Sequence, residues 1–196
     1  HIIDDDRARS CGRPVVGNEI QILNIDGDPV ESGAVGEVVV RGPNVMQGYW
    51  NKPEQTESVL KAGAYWTGDL GYMDKDGYLF LVDRSKDMIV SGGENVYSTE
   101  VEEVIYQHPA VLEAAAFGVP DEKWGEAVWA VVVPREAHHN IDPNEIIEFC
   151  RERIAGYKVP KGIDLRSEAL PKSGPGKVLK RELRAPYWEG KDRAVN

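Results

Sequence analysis

The segment DRSKDMIVSGGENVY, residues 83–97, separates two parts of this 196-residue chain that carry different patterns. It follows the apolar run YLFLV at residues 78–82, and four of its first five residues are charged. A β-hairpin needs only a two-residue glycine or asparagine turn. This run is longer and more charged than such a turn requires.

The residues before this segment carry strand patterns almost throughout. Residues 19–23 and 36–42 alternate as strands around a turn at 26–29, and residues 65–82 predict a second hairpin that turns at 74–77. The stretch PEQTESVL, residues 53–60, predicts one short helix with proline in its first turn.

After residue 87 the pattern is mixed. Helices are predicted from Ser98, from Asp142 to about Ile154, and from Val178 to about Arg184. Strands are predicted at residues 111–119, 127–133 and 162–166. The fold class is therefore α+β, and the charged segment is a candidate domain boundary.

Composition places the chain among ordinary globular proteins, with 41% hydrophobic and 29% charged residues. No apolar run is long enough to span a bilayer, and the first residues, HIIDDDRARS, are unlike a secretory signal. Two cysteines, Cys11 and Cys150, are too few for a disulfide framework. They favour a reducing, cytoplasmic setting.

The charge is unevenly distributed. Residues 1–150 carry 11 basic and 27 acidic side chains, a net charge of −16, whereas residues 151–196 carry a net charge of +6. The acidic body argues against general nucleic-acid binding. The basic tail could serve a smaller anion such as a nucleotide phosphate, or it could be a solvated face.

Three side chains could carry chemistry, and each has a plainer alternative. Asp69 could accept the hydroxyls of a ribose or could be a turn residue. Arg84 could bind hydroxyls or phosphate, or could pair with a neighbouring aspartate. Lys177, in the flexible loop SGPGK, could neutralise an oxyanion or a phosphate, or could be an exposed loop lysine. That loop is not a Walker loop, because Pro171 stands where the first glycine is needed.

No metal site is predicted. His138 and His139 are adjacent, and neighbouring side chains on an extended segment point apart.

Taken in order, four motifs resemble the adenylate-forming superfamily of AMP-dependent synthetases and ligases. They are YWTGD at 65–69, GYLFLVDRSKDMI at 77–89, SGGEN at 91–95 with EVE at 100–102, and LPKSGPGK at 170–177. The resemblance extends from about Cys11 to the end of the chain. It is greatest to fatty-acyl-CoA and 4-coumarate-CoA ligases.

The resemblance implies a two-step reaction of a small-molecule carboxylic acid with ATP and then with coenzyme A. The first step gives an acyl-adenylate and pyrophosphate, and the second gives a thioester after a small domain rotates. By motif match, Asp69 and Arg84 would bind the ribose of the nucleotide. Lys86 would be the hinge about which the domain turns, and Lys177 would be the catalytic lysine of adenylation.

The same resemblance implies a coenzyme A surface in the second half of the chain. Gly92 and Gly93 match a loop that lines the pantetheine tunnel. Trp124, Tyr157 and Lys161 fall where some aryl-CoA synthetases hold the CoA nucleotide. An arginine of those relatives corresponds here to Val159, which is a departure from their pattern.

The resemblance also implies the domain organisation. Residues 1–83 would be the end of a large domain and form an incomplete β-barrel subdomain, residues 84–87 would be the hinge, and residues 88–196 would be a mobile α+β domain with a β-hairpin, a three-stranded sheet and flanking helices. The family's phosphate loop and its magnesium ligands would lie in a missing N-terminal large domain. We therefore expect the chain alone to be inactive, and we expect self-association through exposed barrel edges.

Two alternatives remain open at this point. One is an adenylating enzyme that loads a carrier-protein phosphopantetheine, and the other is a non-catalytic binding module.

Overall fold

The structure, a computed structural model, describes residues 7–190. These residues form two compact units that divide between Ser85 and Lys86. Residues 1–6 and 191–196 lie outside the described range. The first belong to the stretch that was compared with a secretory signal, and the second to the basic tail.

The first unit is built on an open, five-stranded antiparallel sheet. Strand β4 is its centre: β2 pairs with one edge, while β3 and β5 pair with the other, and β1 pairs with β2. The strands are β1 (Glu19–Leu23), β2 (Gly36–Arg41), β3 (Leu60–Lys61), β4 (Ala64–Met73) and β5 (Leu79–Arg84), with helix α1 (Pro53–Val59) before β3.

Both faces of this sheet bury side chains. Val38 and Val39 are adjacent on β2, so they point to opposite faces. Val38 packs with Ile22 and Leu79 in one cluster, while Val39 packs with other residues in a second. The sheet therefore has a small core on each face, in agreement with the predicted incomplete barrel.

Two turns of this unit are stabilised in the same way. The side chain of Asn24 accepts hydrogen bonds from the backbone N–H groups of Asp26 and Asp28 at 3.0 and 2.9 Å. Asp74 accepts from the N–H groups of Asp76 and Tyr78, both at 2.9 Å. Short polar side chains of this kind favour turns because they bond to the backbone just after them.

The second unit contains a sheet centred on β9 (Gly125–Pro134). β8 (Val111–Asp121) pairs with it antiparallel along one edge, and β10 (Gly162–Leu165) pairs with it parallel along the other. The hairpin of β6 (Ile89–Ser91) and β7 (Glu94–Val96) joins β9 through the single pair Ser91 and Gly125. This is the predicted β-hairpin with a three-stranded sheet.

Helices cover one face of that sheet, and the C-terminal residues cover the other. α2 (Ser98–Tyr106) and α3 (Pro143–Arg151) pack on Ala114 and Ala116 of β8. Ala115 and Phe117 point the opposite way and pack with Leu170 and Leu183. Leu183 belongs to α4 (Lys180–Arg184), which is followed by a short 3₁₀ turn, Ala185–Trp188.

Helix α2 begins at Ser98 as predicted, and two other helix boundaries need correction. Ser98 is fully buried, and the residue before it makes no side-chain capping bond. α3 starts as predicted, with Asp142 accepting a hydrogen bond from Asn144, but it ends at Arg151 rather than near Ile154. α4 begins at Lys180 because Val178 is held in an extended bridge to Lys172.

Within residues 7–190 no helix is both long and apolar enough to cross a membrane.

The two cysteines should differ in reactivity. Cys150 is fully buried and desolvation raises its pKa to about 11, whereas Cys11 is exposed. Since only the thiolate reacts, roughly one in a thousand Cys150 thiols would be ionised at pH 8. An aromatic disulfide reagent at pH 8 should modify one thiol of the native chain rapidly and the second only in denaturant. A Cys11→Ser variant should lose the fast phase, and fast modification that persists in this variant would contradict the buried position of Cys150.

Candidate functional site

Asp69 and Arg84 are brought together across two strands of the first unit. They are register partners on β4 and β5, and Nε of Arg84 lies 3.4 Å from Oδ1 of Asp69. Both side chains are partly exposed, 34% for Asp69 and 48% for Arg84. A pair this exposed contributes little to folding. Its carboxylate and guanidinium can instead accept and donate hydrogen bonds to a polyhydroxyl or phosphate group.

An irregular stretch of β4 positions Asp69. The Thr67 hydroxyl donates to the carbonyl of Val38 at 2.7 Å and accepts from the N–H of Asp69 at 3.1 Å. Gly68 has φ +73°, and its N–H donates to Glu37 at 3.1 Å. The pairing register shifts on both sides of β4 near this point. Such bulges re-aim a side chain, and here the side chain is Asp69.

Two tyrosines, Tyr49 and Tyr65, adjoin this pair. The sequence analysis included Tyr65 only as the first residue of the YWTGD motif, and it missed Tyr49. A hydrogen bond with Tyr49 is the largest cause that raises the pKa of Tyr65. Partial burial and the negative charge of Asp69 raise it further, while Arg84 opposes them. The sequence signal that could have identified Tyr49 is the aromatic pair Tyr49-Trp50 within a polar segment. Exposed aromatic residues such as Trp50, which is 90% exposed, indicate a surface that could bind a ligand.

The charged segment that follows is a 3₁₀ turn, Ser85–Asp87. Arg84 is the last residue of β5, and the exposed residue Lys86 begins the second unit. The carbonyl of Lys86 accepts a hydrogen bond from Arg184 at 3.0 Å, and the same guanidinium lies 3.9 Å from Asp87. The C-terminal helix α4 is thus tied to the start of its own unit.

Gly92 and Gly93 form the two-residue turn of the β6–β7 hairpin. Their φ angles are +62° and +86°, the left-handed conformation that a tight hairpin turn demands. The N–H of Gly92 donates to the carbonyl of Trp124 at 2.9 Å. A Cβ atom on Gly92 would lie 2.6 Å from the indole ring of Trp124. The structure therefore brings three of the five predicted coenzyme A residues into one cluster.

The other two lie on the segment that leads into β10. Lys161 is exposed, and its N–H donates to the carbonyl of Val128 on β9 at 2.8 Å. Because β8 occupies the opposite edge of β9, Lys161 and the Ser91–Gly125 pair share one edge. Val128 and Gly125 are three residues apart, about 10 Å along a strand.

Tyr157 is 43% exposed on the same segment, and Lys158 lies 5.6 Å above its ring. Desolvation opposes the charge on Lys158, but its hydrogen bonds and charge interaction with Glu100 raise its pKa. This ion pair ties the segment to α2 and was not foreseen from the sequence. Val159, the position at which the resemblance implies an arginine in some aryl-CoA synthetases, is buried in the core.

Lys177 lies near the end of a closed loop. Lys172 and Val178 form an antiparallel bridge, and the N–H of Ser173 donates to the carbonyl of Lys177 at 2.8 Å. The side chain of Lys177 is exposed and has no ion-pair partner among residues 7–190. Its amine is thus presented to solvent on an ordered backbone.

The part of the chain that the structure describes holds no group of three or more histidine, cysteine or carboxylate side chains placed to bind a metal ion.

Comparisons with known proteins agree on one family. The description "AMP-binding enzyme" matches residues 1–50, and "AMP-binding enzyme C-terminal domain" matches residues 100–177. A feruloyl-CoA synthase of an Amycolatopsis species is 47% identical over 178 residues, 91% of this chain and 36% of that protein. A long-chain-fatty-acid–CoA ligase of Yersinia pestis is 50% identical over 175 residues, 89% of this chain and 31% of that protein.

Solved structures give the same result. The o-succinylbenzoate CoA synthetase of Bacillus subtilis, in complex with an acyl-adenylate intermediate, matches with a TM-score of 0.82 and 39% identity. The match covers 91% of this chain and 36% of that one. The chain thus spans about a third of the length of the relatives it matches.

Substitutions at the glycine turn should separate backbone strain from steric overlap. Gly93→Ala has open space, so it should cost only the left-handed strain of roughly 1–2 kcal/mol. Gly92→Ala carries the same strain and must also displace Trp124, so its loss should be larger. Denaturant unfolding with tryptophan fluorescence measures both.

The matched control is Gly174→Ala, which has open space and a φ outside the left-handed region. Its free energy of unfolding should stay within about 0.5 kcal/mol of the parent. Equal losses for Gly92→Ala and Gly93→Ala would contradict the packing of Trp124 on the turn.

Proposed function

This chain belongs to the AMP-binding, adenylate-forming enzyme family, and we propose that it supplies the C-terminal part of an ATP-dependent acyl-CoA synthetase. In the first half-reaction, a carboxylate oxygen of the acid attacks the α-phosphorus of ATP and pyrophosphate leaves. In the second, the thiol of coenzyme A attacks the acyl carbon, AMP leaves, and the thiol proton is released. Similarity to two CoA ligases over about nine-tenths of the chain carries this proposal.

Asp69 and Arg84 would bind the nucleotide. We assign Asp69 to the ribose hydroxyls, because an ionised carboxylate can accept both of them. Arg84, 3.4 Å away, adds donors to the same sugar. The bulged strand and the partial exposure of both side chains support these roles.

The catalytic role falls to Lys177. Negative charge on the acyl carboxylate and the α-phosphate must be stabilised as the new bond forms, and a positioned ammonium group does this. Its exposed position at a closed loop, with no ion-pair partner among the described residues, supports this assignment.

The second half-reaction would use the hinge and the predicted coenzyme A residues of the second unit. We assign Lys86 to the hinge, residues 1–83 to the large domain and residues 88–196 to the mobile domain. Gly92, Gly93 and Trp124 would approach the pantetheine arm, while Tyr157 and Lys161 would contact the CoA nucleotide by stacking and by charge. The placement of Gly92, Trp124 and Lys161 along one edge of β9 supports a shared ligand.

We assign the Ser/Thr/Gly-rich phosphate loop and the magnesium ligands to residues of the whole enzyme outside this chain. Most of the acyl pocket would lie there too. The magnesium ion would neutralise the phosphates of ATP when bound.

In the full-length enzyme, Lys177→Ala should lower the rate of adenylation by about 100-fold or more, since one charged contact to the transition state is lost. ATP–pyrophosphate exchange measures this half-reaction, with the 196-residue chain alone as the expected inactive baseline. Conversion of preformed acyl-adenylate to the thioester should be little changed.

The matched control is Lys75→Ala, an exposed lysine in the turn between β4 and β5. It should leave both half-reactions unchanged. Undiminished exchange by the Lys177 variant, or exchange by the isolated chain, would overturn the proposed function.

A substitution of the hinge should separate the half-reactions. Proline fixes φ near −65°, so Lys86→Pro in the full-length enzyme should favour one domain orientation and impair one half-reaction far more than the other. Lys86→Ala leaves φ free and should impair neither step strongly. Equal loss of both steps in the proline variant would refute the hinge assignment.

A further inference from the structure

Glu113 lies on β8, at a place where the strand departs from regular pairing. The register with β9 shifts between Val111 and Glu113, and the intervening residue Leu112 is exposed. A bulge of this kind re-aims the next side chain. Here the Glu113 side chain is directed to the segment that leads into the Lys177 loop.

The carboxylate of Glu113 binds that segment at two points. One oxygen accepts a hydrogen bond from the backbone N–H of Leu170 at 2.8 Å. The other is paired with the ammonium group of Lys172. The Glu113 side chain is only 19% exposed, so both contacts are partly shielded from water. The hydrogen bond from Lys172 is the largest cause that lowers the pKa of Glu113, and the N–H of Leu170 adds to it.

These two contacts lie at the base of the loop that carries Lys177. Lys172 is bridged to Val178, and the N–H of Leu179 donates to the carbonyl of Pro171 at 2.8 Å. Lys177 is the residue just before the bridge, with its carbonyl bonded to Ser173. A residue that holds Lys172 in place therefore also holds the backbone segment 172–173, to which Lys177 and Val178 are hydrogen-bonded or bridged.

Apolar packing alone does not set the orientation of the loop base. Leu170 is buried among side chains of the sheet, and such contacts are not directional. The two hydrogen bonds of Glu113 are directional. Because one carboxylate accepts both donors, it fixes the position and the orientation of residues 170–172 relative to β8.

We infer that Glu113 is a positioning residue for Lys177, acting through Leu170 and Lys172 to hold the base of the loop during adenylation. The inference rests on the proposed function of Lys177. Glu113 itself touches neither the acid nor ATP in this role. Its loss should reduce the rate constant of adenylation and leave the thioester step, which does not use Lys177, nearly unchanged.

The test uses the full-length enzyme and three variants. Glu113→Gln keeps an acceptor for Leu170 but removes the charge, and Lys172→Met keeps the apolar stem but removes the amine. Because a small misplacement of a catalytic group is costly, each should lower the kcat of ATP–pyrophosphate exchange roughly tenfold, with a much smaller change in the KM for ATP. Lys172→Arg keeps a cationic donor for Glu113 and leaves the acceptor for Leu170 in place, so it should retain most of the rate that Lys172→Met loses.

Glu168→Gln is the matched control, an exposed glutamate two residues before Leu170. It should leave both half-reactions unchanged. Equal losses of adenylation and thioester formation in Glu113→Gln and Lys172→Met would indicate a general structural role and overturn the inference. Unchanged adenylation in both variants would also overturn it.

Lys177→Ala measured in parallel distinguishes two kinds of failure. If Lys177→Ala abolishes exchange while Glu113→Gln and Lys172→Met do not reduce it, only the positioning role fails. If Lys177→Ala has no effect, the proposed function fails and the positioning role fails with it. Should Glu113→Gln not fold, Lys172→Met and Lys172→Arg give the same comparison.

Discussion

Strand β9 has backbone partners on both edges and apolar side chains on both faces. β8 satisfies one edge over its whole length, and β10 and the β6–β7 hairpin share the other. Helices α2 and α3 cover one face, and the C-terminal residues cover the opposite face. Because buried backbone groups must be paired, β8, β10 and the β6–β7 hairpin are positioned by their hydrogen bonds to β9. The helices and the C-terminal residues are positioned by packing on the faces of the sheet.

The candidate residues of that unit follow from the same constraint. The glycine turn reaches Trp124 because Ser91 pairs with Gly125, the first residue of β9. Lys161 is held by its backbone bond to Val128. The opposite face holds the C-terminal residues: Tyr187 packs on Phe117 and Trp129, and burial together with its hydrogen bond to Asp164 raises its pKa to about 12.

Local patterns were enough to find most elements. Alternation predicted β1, β2 and the β4–β5 hairpin, and Asp74 and Asp142 make the backbone contacts expected of turn and capping residues. The patterns failed where a backbone contact outside the predicted helix decided the outcome. Val178 fits a helix by its local sequence, but its bridge to Lys172 holds it extended. Ser98 begins α2 as predicted, but the pattern did not reveal its burial or its hydrogen bond from Lys180, 82 residues later.

The sequence by itself determined the α+β class, the change of pattern at the charged segment and the motifs that mark the family, because these depend on neighbouring residues and their spacing. Only the tertiary structure decided which side chains meet. Asp69 meets Arg84 through strand pairing, and Glu113 meets Leu170 and Lys172 across 57 and 59 residues of chain. No local propensity encodes such contacts, since they arise from the register of the sheets and the burial of their faces.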